Sequence, residues 1–201
     1  MSKKSIKYLC TPLIAVLLGT STAVVLTGRG RPVFSQGLSD GEQGTLEVRV
    51  KDHREAIADF SKLEILVDTI RIAPKADLKF WQIGWKDLRP SLEKIDLTQY
   101  TGKHSATIFR GAVTQGTFGA IELKLKGVEG ILKKTRSKVP VKNLLRPIKL
   151  PFSTHQKEVT SIVLDLTVMD MSDHPPKGYE LHIKGYELYA NGKLIEKVPP
   201  G

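Results

Sequence analysis

Between Thr45 and Lys51 the chain alternates without a break: Leu46, Val48 and Val50 are apolar, while Glu47, Arg49 and Lys51 are charged. A period of two is the signature of a strand with one buried and one solvated face. The same period returns at Ile121, Leu123 and Leu125, which alternate with Glu122, Lys124 and Lys126. Leu63, Ile65 and Val67 also keep it, then shift phase to Ile70 and Ile72, which predicts a bulge or bend within one strand. Further strands are expected at 79–85, 92–97, 105–109, 147–152, 158–169 and 179–189. Gly111, Gly116, Gly127 and Gly130 read as the turns that separate them, and Asn191-Gly192 marks a terminal hairpin. Asp52-His53-Arg54-Glu55 has capping-box spacing and predicts a short helix through Phe60. No apolar stripe of helical period is long. The expected fold is therefore mainly β: an antiparallel β-sandwich with Greek-key-like connections and at most one or two short helices.

The N-terminus carries a different pattern. Lys3, Lys4 and Lys7 precede twenty uncharged residues, Tyr8 to Thr27, centred on Leu13-Ile14-Ala15-Val16-Leu17-Leu18. A positive flank, an apolar run and small residues after it describe a secretory signal. Cleavage is expected after Ser21-Thr22-Ala23 or after Val33-Phe34-Ser35. The alternative is an uncut membrane anchor with the rest of the chain outside the cytoplasm. Residues 1–35 are thus read as signal peptide or anchor, 36–43 as a flexible tether, and 44–198 as one β-sandwich domain. The expected location is periplasm, cell envelope or extracellular space. Cys10, the one cysteine, precedes the apolar run, where no lipid-anchoring cysteine would stand. Without it, the remaining chain has neither disulfide nor thiol nucleophile.

The charge follows the same division. The 201 residues hold 31 basic and 21 acidic side chains, a formal +10. Residues 1–35 contain five basic and no acidic residues, so 26 face 21 in the rest, an excess of five. Half of the imbalance is export signal and flank, and an exported chain does not meet nucleic acid.

Several short motifs stand in a distinctive order. Gly44-Thr-Leu-x-Val-x-Val-x-Asp52 opens the domain, and Ile95-Asp96-Leu97 precedes Gly102. Gly116-Thr-Phe-x-x-Ile121-x-Leu123, Ile148-x-Leu-x-Phe152 and Ile162-Val-Leu-Asp165-Leu follow, before Gly178-Tyr179-x-Leu181. This order resembles the family catalogued as domain of unknown function 4382, found in bacterial and archaeal envelope proteins, over nearly all of the chain beyond the signal. The Asp-x-Pro opening common there is replaced by Asp52-His53-Arg54. The resemblance implies an exported β-sandwich, often lipid-anchored, with no established activity and no catalytic residue to transfer.

Lys133-Lys134-Thr-Arg136-Ser-Lys138 is the strongest polar feature, with Lys124 and Lys126 before it and Lys142, Arg146 and Lys149 after. Outside the cytoplasm such a stretch suits anionic polysaccharide, phosphate-bearing envelope polymers or anionic lipid headgroups. The plainer reading is a solvated hairpin whose lysines protect a strand edge. Trp81 and Trp85 fall on one face of the expected strand 79–85 and suit either a sugar-stacking platform or, with Ile83 between them, the core. Asp170, Asp173 and His174 suit a divalent ion or an ordinary turn. Asp165, set between Leu164 and Leu166, is expected to face outward with Val163 and Thr167, its alternative being a buried structural role. Gly37-Leu38-Ser39-Asp40-Gly41 matches the serine-hydrolase elbow but lies in the tether, without the flanking strand and helix that chemistry needs.

The five histidines show no paired spacing. The reading is a non-catalytic envelope domain without cofactor or metal, binding anionic polysaccharide, a membrane surface or an envelope protein through Lys133, Lys134, Arg136 and Lys138. The alternatives are an envelope enzyme built from scattered Asp and His, and carbohydrate binding through Trp81 and Trp85.

Overall fold

Strand β1 (Gln43–Asp52) buries Leu46, Val48 and Val50 completely and leaves Glu47, Arg49 and Lys51 half-exposed, as the alternation predicts. The computed structural model describes residues 42–53, 56–75, 84–173 and 178–199, all within the compact unit Leu38–Gly201. The expected signal segment 1–35, most of the tether with its Gly37–Gly41 motif, Arg54 and Glu55 of the capping box, Trp81 and His174 lie outside the described residues. Gln43, expected at the end of the tether, is already strand. After Asp52 the chain makes one 3-10 turn, Ala56–Asp59, in place of a longer helix. Among the described residues no helix is long and apolar enough to cross a membrane.

The remaining strands are β2 (Phe60–Pro74), β3 (Lys86–Leu88), β4 (Lys94–Asp96), β5 (Ala106–Thr114) and β6 (Gly116–Leu132). They are followed by β7 (Lys138–Asn143), β8 (Ile148–Thr154), β9 (Val159–Asp170), β10 (Tyr179–Ala190) and β11 (Lys193–Val198). The expected strand 79–85 is not seen where it is described: Gly84 and Trp85 precede β3 as irregular chain. The expected strand 92–97 shortens to β4 because Asp96 caps a second 3-10 turn, Leu97–Gln99. In β2 the phase shift is a true irregularity, with register breaks on both sides of Val67. Asn191 and Gly192, at φ 49° and 79°, form the expected turn between β10 and β11. Positive φ at both turn residues matches the twist of the flanking strands.

The eleven strands among the described residues belong to one sheet, in the order β3-β2-β6-β7-β10-β9-β1-β5, with β4 also on β2, β8 on β6 and β11 on β10. The mainly β expectation holds, but the antiparallel sandwich is corrected. β9 enters between β10 and β1 running the same way as β1, and the second half of β7 runs parallel to β10. The sheet curls until it is nearly a barrel. Its two ends meet through residues 91–93: Val67 N–H donates to Glu93 O at 2.7 Å, and Ser91 N–H donates to Ile108 O at 2.8 Å. A second opening lies between β8 and β11, where a cavity of about 340 Å³ is lined by Phe152, Leu188 and Ile195.

One apolar cluster fills the inside, with Leu63, Ile65 and Ile72 from β2, Ile121 from β6, Leu150 from β8, and Ile162, Leu164 and Leu166 from β9. Gly111, Gly127 and Gly130 are not turns, as expected, but lie inside β5 and β6. At Gly130 the reason is close approach. A Cβ there would stand 2.5 Å from the Phe60 ring and 3.2 Å from Val141, both buried. Overpacking of this kind costs about 1–3 kcal/mol. Gly130→Ala is therefore expected to lower the urea midpoint of unfolding with little change in slope, read by tryptophan fluorescence or circular dichroism.

Candidate functional site

Ile131 and Leu132 end β6, and Val139 and Val141 resume the apolar alternation in β7; between them every residue is polar. The chain therefore turns in solvent. Leu132 N–H donates to Ser137 O at 3.1 Å, Arg136 N–H donates to Leu132 O at 3.1 Å, and the Thr135 and Ser137 hydroxyls bond to each other at 2.6 Å. Arg136 takes a left-handed backbone, φ 55°. The tip is tied down through Lys133 N–H, which donates to Asp59 O at 2.8 Å. Lys133, Lys134, Arg136 and Lys138 are all exposed, and among the described residues none lies within 4.0 Å of a carboxylate. A groove of about 460 Å³ adjoins Lys133, bordered by Ser61, Thr98, Gln99 and Thr101.

The flanking basic residues do not join this tip. Lys126 faces Asp68 and Glu93 at 3.9 Å each, and Lys142 faces Glu180 at 3.5 Å. Lys124 projects from mid-β6, and Lys149 from β8. The continuous basic stretch of the sequence is thus a compact set of four cations with scattered neighbours.

Trp85 is half-buried, and the Arg71 guanidinium lies 5.0 Å from its ring centroid. Arg71 is itself held by Asp87 at 3.1 Å and Glu122 at 2.8 Å. Trp85 is neither core nor an open stacking surface. Asp170 accepts from Ser172 N–H at 2.8 Å, the work of a turn residue, and Asp173 is exposed. His53, His104 and His155 are exposed, and His182 is half-buried beside Glu180 at 3.1 Å. Among the described residues no three His, Cys, Asp or Glu side chains converge as metal ligands would.

Asp165 corrects the sequence reading. It does point away from the core, yet it is only 4% exposed, because Val163, Asp165 and Thr167 are covered on the outer face as well. Its partner is Lys51, its register neighbour on β1, at 3.3 Å. Lys51 also reaches Glu187 at 3.0 Å, and Glu187 receives Lys197 at 3.0 Å and the Tyr189 hydroxyl at 2.6 Å. Burial pushes the Glu187 carboxyl up, but the hydrogen bonds from Tyr189, Lys51 and Lys197 outweigh it and bring its pKa down to about 2. Burial lowers the Lys51 ammonium, and the same two carboxylates more than restore it, leaving it raised. This network was not legible in the sequence, since it depends on pairing β1 with a strand more than a hundred residues away.

A family model described as a domain of unknown function, DUF4382, matches residues 43–182. The match takes in the β6–β7 hairpin, Arg49, Lys51 and Asp165, and ends before Glu187, Tyr189 and Lys197. No curated protein and no solved structure matches the chain.

The depressed Glu187 pKa fixes a pH dependence. A carboxyl that titrates lower folded than unfolded contributes stability that is complete above the unfolded value and is lost as pH falls toward the folded one. The window runs from about 4.5 down to about 2. The thermal midpoint is expected to fall through that window, and Glu187→Gln is expected to start lower at neutral pH and to fall less, as followed by scanning calorimetry.

Proposed function

The chain belongs to the DUF4382 family of domains of unknown function, and from that premise we propose that it is a non-catalytic, exported cell-envelope domain that binds an anionic polymer through the tip of the β6–β7 hairpin. The observation that carries the reading is the group of four exposed cations, Lys133, Lys134, Arg136 and Lys138, with no carboxylate within 4.0 Å among the described residues. Solvated cations whose only function is to protect a strand edge need no common location; these share one tip anchored through Asp59 O. The groove beside Lys133, with Ser61, Thr98 and Thr101 among apolar neighbours such as Ile57 and Phe60, suits a sugar chain. The tip, Lys-Lys-Thr-Arg-Ser, has no apolar residue to enter a bilayer, which favours a soluble polymer over a membrane surface. Export rests on the Lys3, Lys4 and Lys7 flank and the uncharged run after it.

The enzyme alternative is less well supported, because the described histidines stand apart and the buried Asp165 and half-buried Glu187 are neutralised by Lys51 and Lys197. Sugar stacking at Trp85 is disfavoured by Arg71 over its ring.

The full chain is expected to be retained on an acidic polysaccharide such as alginate at low salt and released at high salt. Each cation near an anionic surface contributes about 1 kcal/mol, so the fourfold variant Lys133→Glu, Lys134→Glu, Arg136→Glu and Lys138→Glu should lose well over tenfold in affinity. Equal retention of wild type and variant would remove the hairpin from consideration.

A further inference from the structure

A second positive site lies on the outer face of β1, β9 and β10 and shares no residue with the hairpin. A cavity of about 360 Å³ is bordered there by Arg49, Lys51, Lys103, Ser105, Tyr189 and Lys197, with Glu187 beside them. The loop bearing Lys103 and Ser105 closes one side and β11 another. Its volume falls in the range of small-molecule pockets, near the lower end.

The charges in this cavity do not cancel. Asp165 and Glu187 answer Lys51 and Lys197 through contacts of 3.0 to 3.3 Å. Arg49 and Lys103 are left over: among the described residues neither lies within 4.0 Å of a carboxylate. Arg49 also has its Nε–H buried without an acceptor. That Nε is closed off from the cavity, but the guanidinium as a whole borders it with its charge unanswered, and such a planar fork suits an oxyanion. Glu187 already accepts from two ammonium groups and one phenol, and Asp165, paired with Lys51, does not come within 4.0 Å of Arg49. Their pairing with Lys51 and Lys197 instead fixes the floor and leaves a local excess of two positive charges.

We propose that this cavity binds a small, polar, oxyanion-bearing ligand of about hexose size, with a carboxylate or phosphoryl group held between Arg49 and Lys103 and its hydroxyls toward Ser105. The two oxyanions share one chemistry here, a negative group met by a planar fork and a flexible ammonium. The inference stands on different residues from the hairpin reading, so either can fail alone.

The test is calorimetric titration of the full chain, in a phosphate-free buffer, with glucuronate, glucose 6-phosphate, inorganic phosphate and neutral glucose. Saturable binding of charged probes and none of glucose is expected. A preference for glucuronate assigns the site to carboxylates, and a preference for the phosphates assigns it to phosphoryl groups. Lys103→Glu, on an exposed loop where folding is not at stake, should weaken binding at least tenfold, and Arg49→Gln should do the same. Lys133→Glu with Lys134→Glu should leave it unchanged. No saturable binding of any charged probe, glucose binding as well as glucuronate, an unaltered affinity in Lys103→Glu, or a loss caused by the hairpin variant would each overturn the proposal.

Discussion

Strand β7 divides its six residues between two partners. Lys138 to Pro140 pair antiparallel with Glu129–Ile131 of β6, and Val141 to Asn143 pair parallel with Tyr179–Leu181 of β10. Among the described strands this one carries the backbone ladder from the β2–β6 side of the sheet to the β10–β9–β1 side. Pro140, which has no N–H to donate, sits where the partner changes and the ladder can spare a donor. The same corner gathers Phe60, edge-on to Tyr179 at 4.7 Å between centroids, and Gly130, whose missing side chain makes room for the Phe60 ring. Closure of the sheet and presentation of the hairpin tip thus depend on one small set of contacts, since β7 begins where the basic tip ends.

The outer face shows how a sheet handles a strand buried on both sides. β9 has no solvated alternates between Ile162 and Val168, so its Asp165 must be paired where it stands. Taking charges out of water costs several kcal/mol per ion, repaid only when the remaining valences are satisfied. Lys51 answers Asp165, and Glu187, Lys197 and Tyr189 extend the network over neighbouring strands, while Asp165 Oδ1 stays buried without a hydrogen bond. An arrangement that begins as a structural necessity therefore leaves a defined concave surface with spare cations at its rim.

Elements whose period was uninterrupted, β1 and the first half of β6, were legible from residue types alone, as was the Asn191-Gly192 turn. β7 was not: Lys-Val-Pro-Val-Lys-Asn is short, charged and interrupted by proline, and only its neighbours make it a strand. Gly130 looked like punctuation because the same residue that frees a turn also makes room for a ring, and only the fold tells which. The four cations of the tip were visible as a cluster, while Arg49 and Lys103 were not, because what unites them is the β1–β5 ladder and the loop before it. The antiparallel expectation failed for the same reason. Alternation reports which face is buried, and says nothing of which strand lies alongside or in which direction.

The parallel ladder of β1 with β9 also dictates an order of events. Thr45 is opposite Val159 and Asp52 opposite Leu166, so β1 lacks one whole edge until β9, more than a hundred residues later, exists. Pairings so distant in sequence form late and slowly, and β5 can supply only the other edge in the meantime. Nascent β1 cannot complete its native neighbourhood as it emerges. The domain is built to close as one cooperative unit, with β1 completed only when β9 is in place.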